Sequence, residues 1–244
     1  MHFLYNLTGE IMSKKDYYIV EKNVDKILKG KCTNFLDPHT LKKVTNKLKG
    51  CGYQIYYPYV DSDKAIIYKD RKPNIRLIEI ISYEKLAHRE IMGSLYNLNI
   101  STEMFGDIVI YKDHYYIIVV DSIYDLINKE FNIVGTHHIK LKEVPLTTLT
   151  NYTRQYKKIE LIVSSMRIDT VISRLIGSSR DSIKKKFLDN EIILNYEPCH
   201  KTNYNLGEGD VFSIRKYGKY RFDGIIKNTK KDNYIIKIYK YIDN

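Results

Sequence analysis

The sequence predicts an α+β protein in three parts. These are an N-terminal helical and mixed segment (residues 12–73), a middle domain (74–146) and a C-terminal domain (161–244) of two short helices packed on a small sheet. Three observations predict this. Apolar residues recur at helical spacing before residue 50 and again from 168 to 187. Between 74 and 144 the pattern alternates between strand and helix periods in the order βαββαβ. The charge is also uneven: of a net +11, residues 151–244 carry 19 Lys and Arg against 11 Asp and Glu, while residues 1–150 carry 21 against 18. Residues 147–160 read as the linker between the last two domains, and 1–11 as an N-terminal extension, because Met12 begins a more ordinary start.

A chain of 244 residues with 43% hydrophobic and 28% charged residues is long and apolar enough for two or three folded domains. No apolar run approaches the roughly 18 residues of a membrane-spanning helix, and the first eleven residues lack the basic start and apolar core of a secretory signal. Cys32, Cys51 and Cys199 are scattered and odd in number, which suits a reducing cytoplasm and provides neither a disulfide framework nor a metal site. The expectation is a cytoplasmic monomer with no cofactor.

In the first part, Tyr17, Val20, Val24, Ile27 and Leu28 give one helix ended by Gly30. Asp37-Pro38 starts a second, with Leu41, Val44 and Leu48 on its apolar edge and Gly50 at its end. Ala65 to Tyr68 is strand-like. In the middle part, Ile75 to Ile81 is a strand and Glu84 to Leu98 a helix. Asp107 to Tyr111 and Tyr115 to Val120 are strands joined by a short polar turn. Ser122 to Phe131 is a helix and His137 to Val144 a strand. That order is the ferredoxin-like (RRM-like) plait. The aromatic consensus with which RNA-recognition plaits stack bases is not visible on the third strand, so RNA binding by this sheet does not follow.

In the third part, Ile168, Val171, Ile172, Leu175 and Ile176 form one helix face, and Gly177 follows at the position that tolerates positive φ. Ser178 or Ser179 caps a second helix with Ile183 and Phe187 on its apolar edge and Arg180, Lys184, Lys185 and Lys186 elsewhere; Lys186 reads as solvated. Asn190 closes the helix in the place of a glycine. Ile192 to Leu194, Val211 to Arg215, Tyr220 to Ile226 and Tyr234 to Tyr239 are strands. An anionic polymer is the simplest partner for this concentration of cations.

The blocks R-I-D-T-V-I-S from Arg167, S-R-x-x-I-K from Ser179, I-x-L-N from Ile192, L-x-x-G-D from Leu206 and S-I-R-x-x-G-K-Y from Ser213 resemble the S4-type RNA-binding domain, or alpha-L motif. Asn190 and Asp181 depart from that pattern, where Gly and a small hydroxyl residue are usual. Further upstream, F-L-D-P at Phe35, H-R-E-I-M-G-S-L at His88 and F-G-D-I at Phe105 resemble the bacterial YlmH family, with departures at Tyr53 to Tyr59 and a poor match over residues 1–30. The resemblance implies rRNA and tRNA as partners, on a large ribosomal subunit still holding peptidyl-tRNA, in ribosome-associated quality control. The candidate RNA-binding residues are Arg167, Arg174, Ser179, Arg180, Lys184, Lys185, Arg215 and Lys219.

Enzymatic readings are weaker. Arg167-Ile168-Asp169 resembles the R-L-D of pseudouridine synthases, but a carboxylate at a helix start also satisfies backbone N–H groups. His88 and Glu90 are two apart on a helix and do not face each other, so the default for His88 and Arg89 is a packed or surface histidine beside a structural arginine, and a docking surface is the functional reading. His137 and His138 on a strand point to opposite faces. The expectation is a protein without catalytic activity; an RNA-modifying enzyme and a cell-division interaction protein stay open as alternatives.

Overall fold

The computed structural model describes residues 4–5, 11–12, 14–229 and 232–242. Most of the extension expected at 1–11 lies outside the described residues. The chain divides into two compact units, Met1–Thr153 and Arg154–Asp243.

The first unit opens with a two-residue ladder between β1 (Leu4–Tyr5) and β2 (Ile11–Met12). Helices α1 (Lys14–Leu28) and α2 (Pro38–Lys47) follow. Asp37 caps α2 by accepting the Thr40 N–H at 2.9 Å, and Pro38 takes the first helical position, where no intrahelical N–H bond is lost. Val20, Ile27, Leu41, Val44 and Leu48 are buried together with Ala65 and with Ile67 of the hairpin β3 (Gln54–Tyr56) and β4 (Ile66–Tyr68).

The plait comprises β5 (Ile75–Ile81), α3 (His88–Asn97), β6 (Phe105–Tyr111), β7 (His114–Val120), α4 (Tyr124–Glu130) and β10 (Lys140–Val144). Its sheet order, β10-β5-β7-β6, is antiparallel throughout and matches the ferredoxin-like arrangement of fourth, first, third and second strands. Lys112 and Asp113, both at positive φ, make the two-residue turn between β6 and β7, whose twist suits antiparallel strands. Helix α3 begins at His88 rather than Glu84, because the Glu90 carboxylate accepts the Ala87 N–H at 2.8 Å and fixes the start there. The strand expected over His137–Val144 is two pieces. β9 (His137–His138) pairs with β8 (Ile133–Val134), and the chain turns at Ile139, which is buried in the core, before β10 begins.

Both faces of this sheet are covered. Ile78, Ile80 and Ile117 lie on one face, where the Tyr115 hydroxyl accepts the Leu86 N–H ahead of α3. The opposite face, which an RNA-recognition plait leaves open for bases, is closed by Phe35, Tyr59 and Tyr152. A side chain at Gly106 would come within 3.1 Å of the Phe35 ring. The Tyr59 hydroxyl donates to Asp107 at 2.6 Å, and Tyr152 meets both Tyr59 and Tyr111 edge to face. Residues 12–73 therefore do not stand apart: Phe35, Tyr59 and Ile66 belong to the plait's own core.

The linker expected at 147–160 is a correction. Leu149 and Tyr152 are buried in the first unit's core, and Tyr156–Val163 is a strand, β11, paired along its length with β16 (Tyr234–Tyr241). Lysines at 157 and 158 hid the strand's alternation. In the second unit a six-stranded sheet runs β11-β16-β15-β14-β12-β13, with β15 at Gly218–Asn228, β14 at Val211–Ile214, β12 at Ile192–Leu194 and β13 at Glu197–Pro198. Helices α5 (Ile168–Ile176) and α6 (Arg180–Leu188) pack on it. Ile168, Val171, Ile172, Ile183 and Phe187 share one core with Phe212, Ile214, Phe222, Ile236 and Ile238.

Candidate nucleic-acid interface

The turn between α5 and α6 follows from local chemistry. Gly177 sits at φ 64°, where a side chain would be strained, and the Ser178 N–H bonds back to the Ser173 carbonyl at 3.1 Å. The Ser173 hydroxyl donates to the Ser178 carbonyl at 2.6 Å. Ser179 caps α6 by accepting the Ser182 N–H at 3.3 Å. With Ile183 and Phe187 buried beneath, the two helices are held in fixed register and their cations with them.

These elements enclose an open groove of about 460 Å³. Arg174 and Arg180 line it together with Thr170, Ser173, Ser178 and Ser164, over Val163. Both arginines are exposed, and neither has an ion pair among the described residues. Two guanidinium groups beside the Ser164 and Ser178 hydroxyls and a helix N-terminus suit phosphate oxygens, which a guanidinium bridges bidentately.

The remaining expected residues are distributed differently. Lys184 and Lys185 are exposed on α6; Lys184 reaches Asp181 at 3.2 Å, a pair whose partners are so exposed that it adds little stability. Arg167 is half exposed but engaged, donating to Asp169 from Nε at 3.1 Å and Nη2 at 2.7 Å. Arg215 is exposed just beyond β14, its N–H bonded to the Glu191 carbonyl after α6. Lys219 stands apart: it projects from the sheet face opposite the helices, with its ammonium 4.8 Å from the Tyr196 ring and 4.6 Å from the Tyr241 ring. Lys186, expected to be solvated, is instead largely covered and paired with Glu191 at 2.7 Å. In the first unit His88 and Arg89 open α3, and Arg89 is exposed. Sequence reasoning missed Ser164 and Ser173, whose hydroxyl spacing carries no signal until strand and helix are juxtaposed.

Asp169 is buried, and both its oxygens are occupied. Oδ1 also accepts the Thr170 N–H at 2.7 Å. Burial pushes this carboxyl up, but the Arg167 guanidinium and the Thr170 hydrogen bonds outweigh it and hold it below the usual carboxylate range. A carboxyl lowered in the folded state stabilises the fold above its unfolded value of about 3.9 and loses that contribution as pH falls through the folded value. Asp169→Asn is therefore expected to flatten the acid limb of the stability profile below about pH 4. Urea titrations of both forms across pH 2–7 would read this, and parallel acid limbs would refute it. Among the described residues no group of three or more His, Cys, Asp or Glu could hold a metal ion, and no helix is long and apolar enough to cross a membrane.

Fold and groove together define an α+β chain in which a covered plait precedes a cationic two-helix unit. Residues 71–148 match the family model described as the putative RNA-binding domain in YlmH. The matched residues span the plait of the first unit. The chain is 24% identical over 219 residues to the ribosome-associated protein quality control protein P2 of Bacillus subtilis (strain 168), with 84% of each chain covered. Among solved structures it is similar to the cell division protein YlmH from Streptococcus pneumoniae, at 23% identity and a TM-score of 0.46, over 58% of this chain and 98% of that one.

Proposed function

We propose that this protein is a non-enzymatic RNA-binding factor that works on ribosomes. The convergence of Arg174 and Arg180 on one hydroxyl-lined groove carries the reading. In it, the second unit acts as an S4-type domain that grips rRNA and tRNA phosphates on the large subunit. The ribosomal setting is supported by the name of the Bacillus subtilis relative. The step served is the stabilisation of peptidyl-tRNA on stalled large subunits, by a cytoplasmic monomer without a cofactor. A rigid pair of helices with fixed cations suits duplex RNA, whose narrow major groove leaves shape, phosphates and 2′-hydroxyls to be read. The covered sheet of the first unit supports a positioning role for that unit in place of base stacking on its strands.

Sucrose-gradient sedimentation of cell lysate tests this. The protein is expected to travel with free large subunits at low salt and to leave them at moderate salt. Arg180→Ala with Lys184→Ala is expected to move it to the top of the gradient at low salt. Unchanged co-migration of that variant would overturn the phosphate-grip reading. A mass change in rRNA or tRNA that depends on Asp169 would replace it with an enzymatic one.

A further inference from the structure

The second unit has another surface with the chemistry of a nucleic-acid contact, on the sheet face turned away from α5 and α6. Along Tyr220–Phe222 of β15 and along β16 the residues alternate, and the pairing of the two strands shifts between Phe222 and Gly224, at Asp223. Tyr220, Phe222, Ile236 and Ile238 are buried toward the helices, so Arg221, Lys237 and Tyr239 project from the other side. Strand register aligns Arg221, Tyr239 and Lys158 across three strands, with Tyr156 beside them on β11. The Arg221 guanidinium lies 5.1 Å from the Tyr156 ring and 5.2 Å from the Tyr239 ring, and the two ring centroids are 5.8 Å apart. Asp223 orients the cations, pairing with Lys237 at 2.6 Å and reaching Arg221 at 3.8 Å. Lys219 and Lys227 also lie on this face; Lys158 is paired with Glu160 at 2.7 Å and Glu208 acts on Lys237, so the cations outnumber the carboxylates by a small margin.

We infer that this face is a stacking platform for unpaired bases of RNA, distinct from the phosphate groove between the helices. Half-buried tyrosines held by a guanidinium offer aromatic planes already fixed in place, so little side-chain freedom is lost on binding. Base–aromatic stacking tolerates any base, and neighbouring cations track the phosphates. Proteins that recognise single-stranded RNA combine these two features, whereas duplex RNA buries its bases and gives such rings nothing to stack on. The platform and the groove would thus divide the work, the groove taking helical RNA and the platform an adjoining loop or end. This rests on the RNA-binding reading above and deepens it.

The test uses the full chain with two labelled probes, a short oligouridylate and a blunt RNA hairpin, followed by fluorescence anisotropy. Tyr156→Leu with Tyr239→Leu is expected to weaken oligouridylate binding by roughly tenfold or more, since each stacked base contributes about that factor. Hairpin binding should stay within about twofold of the parent. Arg221→Gln, which keeps both rings but removes the cation that holds them, should weaken the oligouridylate by a smaller factor. In a second measurement, 4-thiouridine in the oligomer should photocross-link to the peptides bearing Tyr156 or Tyr239. Unchanged oligouridylate affinity in the double variant, an equal loss for both probes, or cross-links confined to α5 and α6 would overturn the platform. Failure of the unaltered protein to bind either probe would overturn the RNA-binding reading as well.

Discussion

Arg174→Ala combined with Arg180→Ala is expected to weaken hairpin RNA binding by at least about 100-fold at physiological salt while leaving folding intact. Each arginine removed takes away a charge-assisted contact worth roughly 1.5–3 kcal/mol. Neither has an ion pair among the described residues, so truncation strands no buried carboxylate. The salt dependence is the sharper readout. If five phosphates are contacted, log K falls against log salt with a slope of roughly −3 to −5, and losing two contacts reduces its magnitude by about 1.4–1.8. A drop in affinity with an unchanged slope would mean that the variant altered shape and not phosphate neutralisation. Arg180→Lys should retain the slope but lose part of the affinity, because an ammonium cannot bridge two phosphate oxygens.

Asn195→Ala is expected to destabilise the second unit by roughly 2–4 kcal/mol. Asn195 follows β12 at φ 48°. Its side-chain Oδ1 accepts the Val211 N–H at 2.9 Å, and its side-chain Nδ2 donates to Asp210 at 2.8 Å. Asp210 in turn accepts the Gly207 N–H at 2.8 Å. One side chain thus ties the end of β12 to the turn that starts β14. Alanine loses both bonds and also meets the cost of a left-handed backbone; glycine loses the bonds alone and should recover about 1 kcal/mol. Urea unfolding of the two variants reads the difference. Equal stability of Asn195→Ala and the parent would show the cross-link to be idle. The motif residues Asn195 and Asp210 consequently hold the sheet that carries the cations, and RNA affinity of the folded fraction should be unaffected by their loss.

Much of the fold is written locally. The apolar stripe of α5, Gly177 at its end, the Ser179 cap and Asn190 at φ 54° each depend on neighbours within one or two turns, so spacing and residue type suffice to place them. The plait's order is legible for the same reason, since each strand and helix declares its own period. The strand at Tyr156–Val163 was not, because its outward lysines resemble a solvated tract until β16 is beside it.

For the site, the sequence by itself determined that the cations gather in the C-terminal part, that α5 and α6 present them on a rigid turn, and that Asp169 starts a helix. Tertiary structure alone decided which of them meet. Arg174 and Arg180 share a groove with Ser164 from a strand, whereas Lys219 lies across the sheet among tyrosines, and Arg167 is held by Asp169. It also closed the plait's open face with Phe35, Tyr59 and Tyr152, from segments far away in sequence. The physical reason is one of range. Backbone preference and side-chain period act over a few residues, while the convergence of charges and the covering of a sheet face depend on strand register and packing between segments that no local pattern relates.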